Sequence, residues 1–215
     1  MLIEDGVYTR CDAEDIACGG VVVVPKGVKE IGKFVFQKRD DIKKVVLPEG
    51  IKKVGYFSFY ECTGLEEINL PDSIEEIGAV AFSGCEKLAK IQLPKGLKKL
   101  GDSSFDCTAI ERIEVPKVTY ILEGTFADCK NLKEVILHDD IKVICFSAFV
   151  GCEKLETIKF PKNVTEIEFD AFRDCSSLCE IVIPKGVKIG KNAFMNCPIK
   201  KINGVEGAHI EDYIK

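Results

Sequence analysis

The fold is decided by the stretch Gly64-Leu65-Glu66-Glu67-Ile68-Asn69-Leu70-Pro71-Asp72-Ser73-Ile74-Glu75-Glu76-Ile77-Gly78-Ala79-Val80-Ala81-Phe82-Ser83-Gly84-Cys85. Written as a pattern, it reads Leu-x-x-Ile-x-Leu-Pro-x-x-Ile-x-x-Ile-Gly-x-x-Ala-Phe-x-x-Cys. The same unit recurs from about residue 20 to about residue 204 of this 215-residue chain. The molecule is therefore expected to consist mainly of stacked copies of one structural unit.

Phenylalanine sets the period of the repeat, with steps of 21 to 23 residues. The members of this series are Phe36, Phe59, Phe82, Phe105, Phe126, Phe149, Phe172 and Phe194. Seven cysteines keep the same period: Cys62, Cys85, Cys107, Cys129, Cys152, Cys175 and Cys197. A period in this range, headed by Leu-x-x-Ile-x-Leu, predicts a leucine-rich repeat solenoid. We expect a right-handed coil of about eight repeats of 21–23 residues.

Each coil divides into two parts. Leu-x-x-Ile-x-Leu alternates as a short strand does, and the proline that follows ends it, so successive coils should stack nine such segments into one parallel sheet face. Ile-x-x-Ile-Gly-x-x-Ala-Phe should form the other side from turns, 3₁₀ pieces or short strands. Its glycine indicates either a positive φ angle or tight packing. The phenylalanines should form a buried column, and the cysteines a ladder of free buried thiols, which favours a reducing compartment.

Three domains follow from where the repeat begins and ends. Residues 1–18 precede it and predict an N-terminal cap, with a hairpin around Asp5-Gly6. Residues 19–204 form the solenoid. Residues 205–215 form a C-terminal cap or tail, in which the spacing of Ile210, Tyr213 and Ile214 favours a short helix.

Composition excludes several classes of function. A formal net charge of −5 argues against nucleic acid as the partner. The longest apolar run, residues 21–24, is far too short for membrane insertion, and the first six residues do not resemble a signal peptide. Two histidines and the absence of phosphate-loop or nucleophile motifs predict no enzyme activity, no cofactor and no metal site.

Two surfaces are candidates for binding a protein partner. On the outward side of the sheet face the candidate residues are Val23, Val46, Lys44, Glu67, Lys90 and Arg112. The charged members should pair across strands, as in Lys44/Glu67/Lys90, and leave a solvated, self-paired face unless a partner covers it. The valines form a local apolar patch with Val21, which we expect the N-terminal cap to cover.

The second surface is aromatic. Phe34 and Phe57 stand two residues before a core phenylalanine, in a slot that is polar or small in the later coils, and Tyr56 is adjacent. These rings could simply stack on one another and shield the edge of the solenoid. Alternatively they form a strip for a partner, because aromatic residues are enriched at interface centres. In either case we expect the Phe34/Phe57 pair to be partly exposed.

The middle of the array is irregular. The coil around Phe105 is shorter by one residue before Cys107 and by another near residues 116–118. Such shortening changes the local curvature. The pattern favours tolerated sequence drift, and the alternative is a hinge or docking notch near Tyr120.

The pattern resembles the BspA-like class of leucine-rich repeats over residues 19–204. That resemblance implies a non-enzymatic protein-recognition module, often a surface or secreted adhesin, whereas the thiols and the start of the chain favour a cytoplasmic scaffold or regulator. The partner is expected to be a protein of unknown identity. The open edge of the last strand also predicts weak self-association.

Overall fold

The computed structural model describes residues 2–10 and 19–210. Cys11, Cys18 and most of the predicted C-terminal helix therefore lie outside the described residues. The chain begins with an antiparallel hairpin of β1 (Leu2–Glu4) and β2 (Val7–Arg10), turning at Asp5-Gly6 as expected. β2 then pairs in parallel with the first repeat, and the buried ring of Tyr8 lies 5.5 Å from the ring of Phe36. The hairpin thus covers the open end of the solenoid core.

The repeats form a solenoid of eight coils, which we number by their core phenylalanines from Phe36 in coil 1 to Phe194 in coil 8. The first sheet face contains β3 (Val21–Val23), β5 (Lys44–Val46), β7 (Glu67–Ile68), β10 (Arg112–Val115), β12 (Glu134–Leu137), β14 (Thr157–Lys159), β16 (Glu180–Val182) and β18 (Lys201–Ile202). Every pair formed between successive coils is parallel. The predicted face of parallel strands is present, but it holds eight of the nine expected strands and is divided into three sheets, β3-β5-β7, β10-β12 and β14-β16-β18.

The opposite side is a second sheet face built from the Ile-x-x-Ile segments. Its strands are β4 (Glu30–Ile31), β6 (Lys53–Val54), β8 (Glu76–Ile77), β9 (Lys99–Leu100), β11 (Tyr120–Ile121), β13 (Val143–Ile144), β15 (Glu166–Ile167) and β17 (Lys188–Ile189). The hairpin strands β1 and β2 extend this face and not the first one. Hydrogen-bonded turns, rather than 3₁₀ helix, connect each strand to the core phenylalanine.

The phenylalanines form the predicted buried column. Rings of successive coils are stacked, with centroid distances from 4.7 Å (Phe36–Phe59) to 5.8 Å (Phe105–Phe126). Phe36 through Phe172 are fully buried at every coil. Because each ring contacts the rings above and below it, the column links all eight coils in one core.

The thiol ladder is also present, with one correction. Each ladder thiol donates to the carbonyl oxygen of the phenylalanine one coil earlier, as from Cys62 to Phe36 (2.8 Å) and from Cys85 to Phe59 (3.2 Å). Burial raises the pKa of the Cys85 thiol well above its usual range, so it stays neutral. Cys107 is not a member, however. It is exposed, and buried Thr108 fills that rung instead.

The reason is the position of the deletion in coil 4. Thr108 follows Phe105 by the same three residues that separate Phe82 from Cys85, and its hydroxyl lies 3.2 Å from the Cys129 sulfur. The missing residue therefore falls after Thr108 and not before Cys107. Cys107 takes the exposed turn position, with a φ angle of 56°.

The repeated glycine has a packing role and not a conformational one. Gly55 and Gly101 lack positive φ angles. A Cβ atom at Gly55 would lie 2.6 Å from backbone atoms of coil 1, and one at Gly101 would lie 2.3 Å from the backbone of coil 3. Glycine here lets neighbouring coils approach closely.

Both sheet faces are interrupted near the shortened coil. Residues 89–93, one of the nine predicted strand segments, form no strand. On the second face β8 pairs with β9 and β11 pairs with β13, but β9 and β11 do not pair. Leu100 and Ile121 are 21 residues apart, whereas the preceding equivalent positions, Ile77 and Leu100, are 23 apart. Coil 5 therefore cannot follow the path of coil 4 across both faces.

The C-terminal end closes with a second hairpin. β19 (Val205–Glu206) pairs antiparallel with β18, so the last parallel strand of the first face is covered. The side chain of Asn203 holds the backbone of Ile183, accepting from its N–H at 2.8 Å and donating to its carbonyl at 3.0 Å. These contacts satisfy backbone groups that a further coil would otherwise pair.

Candidate protein-binding surface

Four aromatic side chains from coils 1 and 2 form one cluster, which we call the aromatic strip: Phe34, Tyr56, Phe57 and Tyr60. Ring centroids lie 5.1 Å apart for Phe34–Tyr56, 5.6 Å for Phe34–Phe57 and 5.1 Å for Phe57–Tyr60. Phe34 is 45% exposed, which confirms the expected partial exposure. The rings pack against one another in T-shaped or tilted geometry, and Phe34 and Tyr56 remain exposed to solvent.

The backbone beneath this strip is unusual for aromatic residues. Phe34, Phe57 and Val80 have φ angles of 61°, 57° and 58°, in the left-handed region. The same slot in the later coils holds residues that tolerate this conformation more readily: Ser103, Gly124, Ser147, Asp170 and Asn192. Left-handed backbone costs an L-residue with a bulky side chain about 1–2 kcal/mol. Coils 1–3 thus carry bulky side chains where the fold disfavours them.

Charged groups surround the strip. The Lys33 ammonium lies 5.7 Å from the centre of the Tyr56 ring, and that of Lys38 lies 6.0 Å from the Tyr60 ring. Lys38 also pairs with Glu61 at 3.5 Å. The Tyr60 hydroxyl donates to the Glu61 carboxylate, which raises the pKa of Tyr60 and lowers that of Glu61. The strip therefore has an apolar centre and a charged rim.

A second aromatic pair lies in the other half of the solenoid. Phe146 and Phe169 are stacked, with centroids 5.5 Å apart and planes 10° from parallel. The Phe146 N–H donates to the Glu168 carboxylate at 2.9 Å. This pair occupies the position of Tyr56, one residue before the left-handed slot, so its backbone does not carry the same strain.

The first sheet face carries most of its predicted ion pairs. Lys44 pairs with Glu67 at 2.7 Å, and Arg112 with Glu134 at 2.8 Å. The expected continuation of this network to Lys90 was wrong. Lys90 lies in the segment that forms no strand, and within the described part of the chain it forms no ion pair. Exposed pairs of this type contribute at most about 1 kcal/mol each.

The valine patch is open. Val23 lies beside Val46 in the register of β3 and β5 and is 58% exposed. The expected covering by the N-terminal cap is not seen in the described residues, because the hairpin extends the second sheet face instead. Val23 and Val46 form a small apolar spot at the start of the first face.

One group of side chains could in principle hold a metal ion. Ligand atoms of Asp106, Cys107 and Asp128 lie within 4.8 Å of one another. Partial desolvation, together with a hydrogen bond to Asp106, raises the pKa of the Cys107 thiol to about 12, so the metal-free thiol is protonated at neutral pH. His138 is not part of this group, and its side chain contacts Asp140 at 3.4 Å.

A search of residues 2–10 and 19–210 for membrane-spanning helices finds none with the required length and apolar character.

The geometry defines a leucine-rich repeat solenoid, a class of repeat protein that presents extended surfaces for binding other proteins. The sequence profile of the BspA type leucine-rich repeat region matches residues 3–130 and 107–214. The chain belongs to the BspA-type leucine-rich repeat family.

Crystal structures of bacterial proteins share this fold. A leucine-rich repeat protein from Bacteroides ovatus superposes with a TM-score of 0.71 at 27% identity, covering 94% of this chain and 68% of that one. The leucine-rich repeat protein of T. pallidum gives a TM-score of 0.62 at 27% identity, covering 89% and 81%. A leucine-rich repeat protein from Eubacterium ventriosum, at 22% identity and a TM-score of 0.71, covers 86% and 63% and shows the fold alone. A search of the curated proteins finds no match.

Proposed function

We propose that this chain is a non-enzymatic recognition module that binds a protein partner through the aromatic strip. The observation that carries the proposal is the pair Phe34 and Phe57, one exposed and one half-buried ring, both on left-handed backbone. Backbone strain of this kind persists where a side chain has a role beyond folding. Phe57 could be replaced by the serine or asparagine of later coils without loss of the repeat geometry.

The chemistry of the strip suits a protein interface. Aromatic rings surrounded by charged groups match the composition of interface centres and rims. Lys33, Lys38 and Glu61 would set the orientation of the partner, while Phe34 and Phe57 would supply buried area. The sheet-face residues Lys44, Glu67, Lys90 and Arg112, with Val23 and Val46, remain the second candidate surface.

The decisive variant is Phe34→Asn combined with Phe57→Asn, because asparagine tolerates the left-handed conformation. Phe146→Ser combined with Phe169→Ser removes two exposed rings from the other half and serves as the matched control. We expect proteins captured from source cells by the wild-type chain to be captured equally by the control and lost with the strip variant. Equal capture by the strip variant, at unchanged thermal stability, would refute the proposal.

Two forms of this function differ in where the chain is located in the source cells. The family resemblance supports a surface or secreted adhesin, and the free buried thiols support an intracellular scaffold. Antibody labelling of intact source cells distinguishes them. Labelling before lysis would support the adhesin, and labelling only after lysis would support the scaffold.

A further inference from the structure

A cleft opens on the second sheet face where β9 and β11 fail to pair. Its volume is about 390 Å³, and its lining includes Ile77, Leu100, Val118, Tyr120 and Leu122. The first three are buried, and Tyr120 is 52% exposed at the mouth. The shortened coil, which the sequence pattern favoured as tolerated drift, therefore opens a notch near Tyr120, as the alternative reading held, and the floor of this notch is apolar.

Backbone groups on both walls lack the partners that they have at other coil junctions. Between coils 3 and 4 the N–H groups of Lys99 and Gly101 donate to the carbonyls of Glu75 and Ile77, at 3.1 and 2.9 Å. Between coils 4 and 5 the equivalent bonds would join Tyr120 N–H to Lys98 and Leu122 N–H to Leu100. Neither bond forms in the described part of the molecule. The cleft therefore presents donors on one wall and acceptors on the other.

The coils stay joined on the turn side of the cleft. Ser103 N–H donates to the Glu123 carbonyl at 2.7 Å, and Phe105 N–H donates to the Thr125 carbonyl at 2.9 Å. The Phe105–Phe126 ring distance of 5.8 Å is the largest in the column. The opening is thus a wedge, closed at the turns and widest at the sheet face.

Charges along the second face alternate from coil to coil until they reach this cleft. One row runs from Lys52 to Glu75 to Lys98, with contacts of 2.9 and 2.6 Å. A parallel row runs from Glu30 to Lys53 to Glu76, with contacts of 3.8 and 3.7 Å, and Lys99 is next in register.

Both rows then meet uncharged residues. Coil 5 places Thr119 and Tyr120 where the next acidic residues would stand. Lys98 retains Glu75, and Lys99 forms no ion pair with any described residue. Two ammonium groups therefore border the cleft beside the carboxylate of Glu76 in coil 3, and none of the lining residues from coil 5 is acidic.

We propose that this cleft docks an extended acidic peptide segment of a partner protein. An apolar side chain enters the wedge over Leu100, and adjacent carboxylates meet Lys98 and Lys99. The peptide backbone then bonds to the free groups of the walls, as in strand addition to an open sheet edge. The segment Ile74-Glu75-Glu76-Ile77 of this chain has that pattern and pairs with the Lys99-Leu100 strand on its other side, away from the cleft.

The chain supplies its own matched probes. A fluorescent peptide of residues 71–79 carries two glutamates between isoleucines, and a peptide of residues 94–102 carries two lysines between leucines at the same spacing. We expect the acidic peptide to bind the full chain in a fluorescence anisotropy titration and the basic peptide not to bind. Equal binding of both peptides, or binding of neither, would overturn the proposal.

Variants then localise the binding. Lys98→Gln combined with Lys99→Gln should weaken binding of the acidic peptide at least tenfold, whereas Lys159→Gln combined with Lys162→Gln should not. The strip variant Phe34→Asn/Phe57→Asn should bind the peptide normally, so this result is independent of the proposed function. Unchanged affinity in the Lys98/Lys99 variant, folded as judged by thermal unfolding, would contradict the site. Sedimentation of the chain as a dimer that the acidic peptide dissociates would instead make a second copy the occupant.

Discussion

Coils 1–3 and coils 5–8 meet the same backbone requirement with opposite residue types. In every coil, the position two residues before the core phenylalanine has a left-handed backbone. Coils 5–8 fill it with glycine, serine, aspartate or asparagine, whereas coils 1–3 use Phe34, Phe57 and Val80. The repeat pattern accounts for the small or polar residues of coils 5–8 at this position, but not for the bulky residues of coils 1–3. What distinguishes coils 1–3 is that bulky apolar side chains stand on left-handed backbone, whereas the exposed rings Phe146 and Phe169 of the later coils do not.

The largest expected effect is the difference in stability lost when a ring is removed from the core column and when one is removed from the aromatic strip. Phe59→Ala removes a fully buried ring that stacks on both neighbours, so the free energy of unfolding should fall by about 3–5 kcal/mol. Phe57→Ala, two residues earlier, removes a partly exposed ring and should lower it by about 1 kcal/mol or less. Urea denaturation of both variants measures the contrast. Similar losses would show that the strip is part of the core.

Exchanging residue types at the left-handed slot tests the strain directly. Val80→Asn should raise the free energy of unfolding by about 1 kcal/mol, because a β-branched residue is replaced by one that tolerates positive φ. Asn192→Val makes the reverse change in coil 8 and should lower it by about 1–2 kcal/mol. Changes of the same sign in both variants would show that side-chain packing, and not backbone conformation, decides this position.

The two halves also end their first sheet face with the same device. Asn69 accepts from the Leu47 N–H at 2.8 Å and donates to the Leu47 carbonyl at 2.8 Å, as Asn203 does for Ile183. Asn69→Ala should lower the free energy of unfolding by about 1 kcal/mol, since two backbone groups lose their partners. Asn203→Ala should have a similar effect. A much smaller loss at Asn69 would indicate that residues 89–93 can pair once the asparagine is gone.

Much of this architecture follows from the repeat period alone. A single period relates Phe82 to the buried ring column and Cys85 to the ladder, because identical coils place identical residues at the same height. The partial exposure of Phe34 could also be predicted, since later coils carry polar residues in that slot. The strain beneath Phe34 was missed, although Ser147, Asp170 and Asn192 were its signal. These residue types together indicate left-handed backbone.

Local departures from the period were harder to place. Cys107 and Thr108 are adjacent, and residue type favoured the cysteine for the ladder. The sequence allows the deletion to be placed either before Cys107 or after Thr108. Only the packing inside coil 4 decides which of the two side chains is buried in the ladder. The absence of a strand at residues 89–93 likewise depends on contacts between coils. The pattern of residues 89–93 resembles that of the other strand segments.

The smallest expected effect concerns the charge rows that end at the cleft. Glu75 lies between Lys98 and Lys52, and hydrogen bonds to both ammonium groups lower its pKa from 4.5 to about 2. Because the folded pKa is depressed, this carboxylate stabilises the fold fully above its unfolded pKa. The contribution is lost as pH falls from about 4.5 toward 2. Glu75→Gln should therefore lower the Tm slightly at pH 7 and reduce its decline between pH 5 and pH 2.5.

The matched control is Glu111→Gln, because the Glu111 carboxylate contacts a single ammonium, that of Lys133 at 3.4 Å. We expect its Tm to decline over the same pH range as in the wild-type chain. Salt should shrink the difference between Glu75→Gln and wild type, since all three side chains of the Glu75 row are solvent-accessible and their attraction is screened. An identical acid dependence in wild type and Glu75→Gln would mean that the alternating row does not stabilise the second face. In that case the presence of Lys98 and Lys99 beside the cleft would need an explanation other than the alternating charge row.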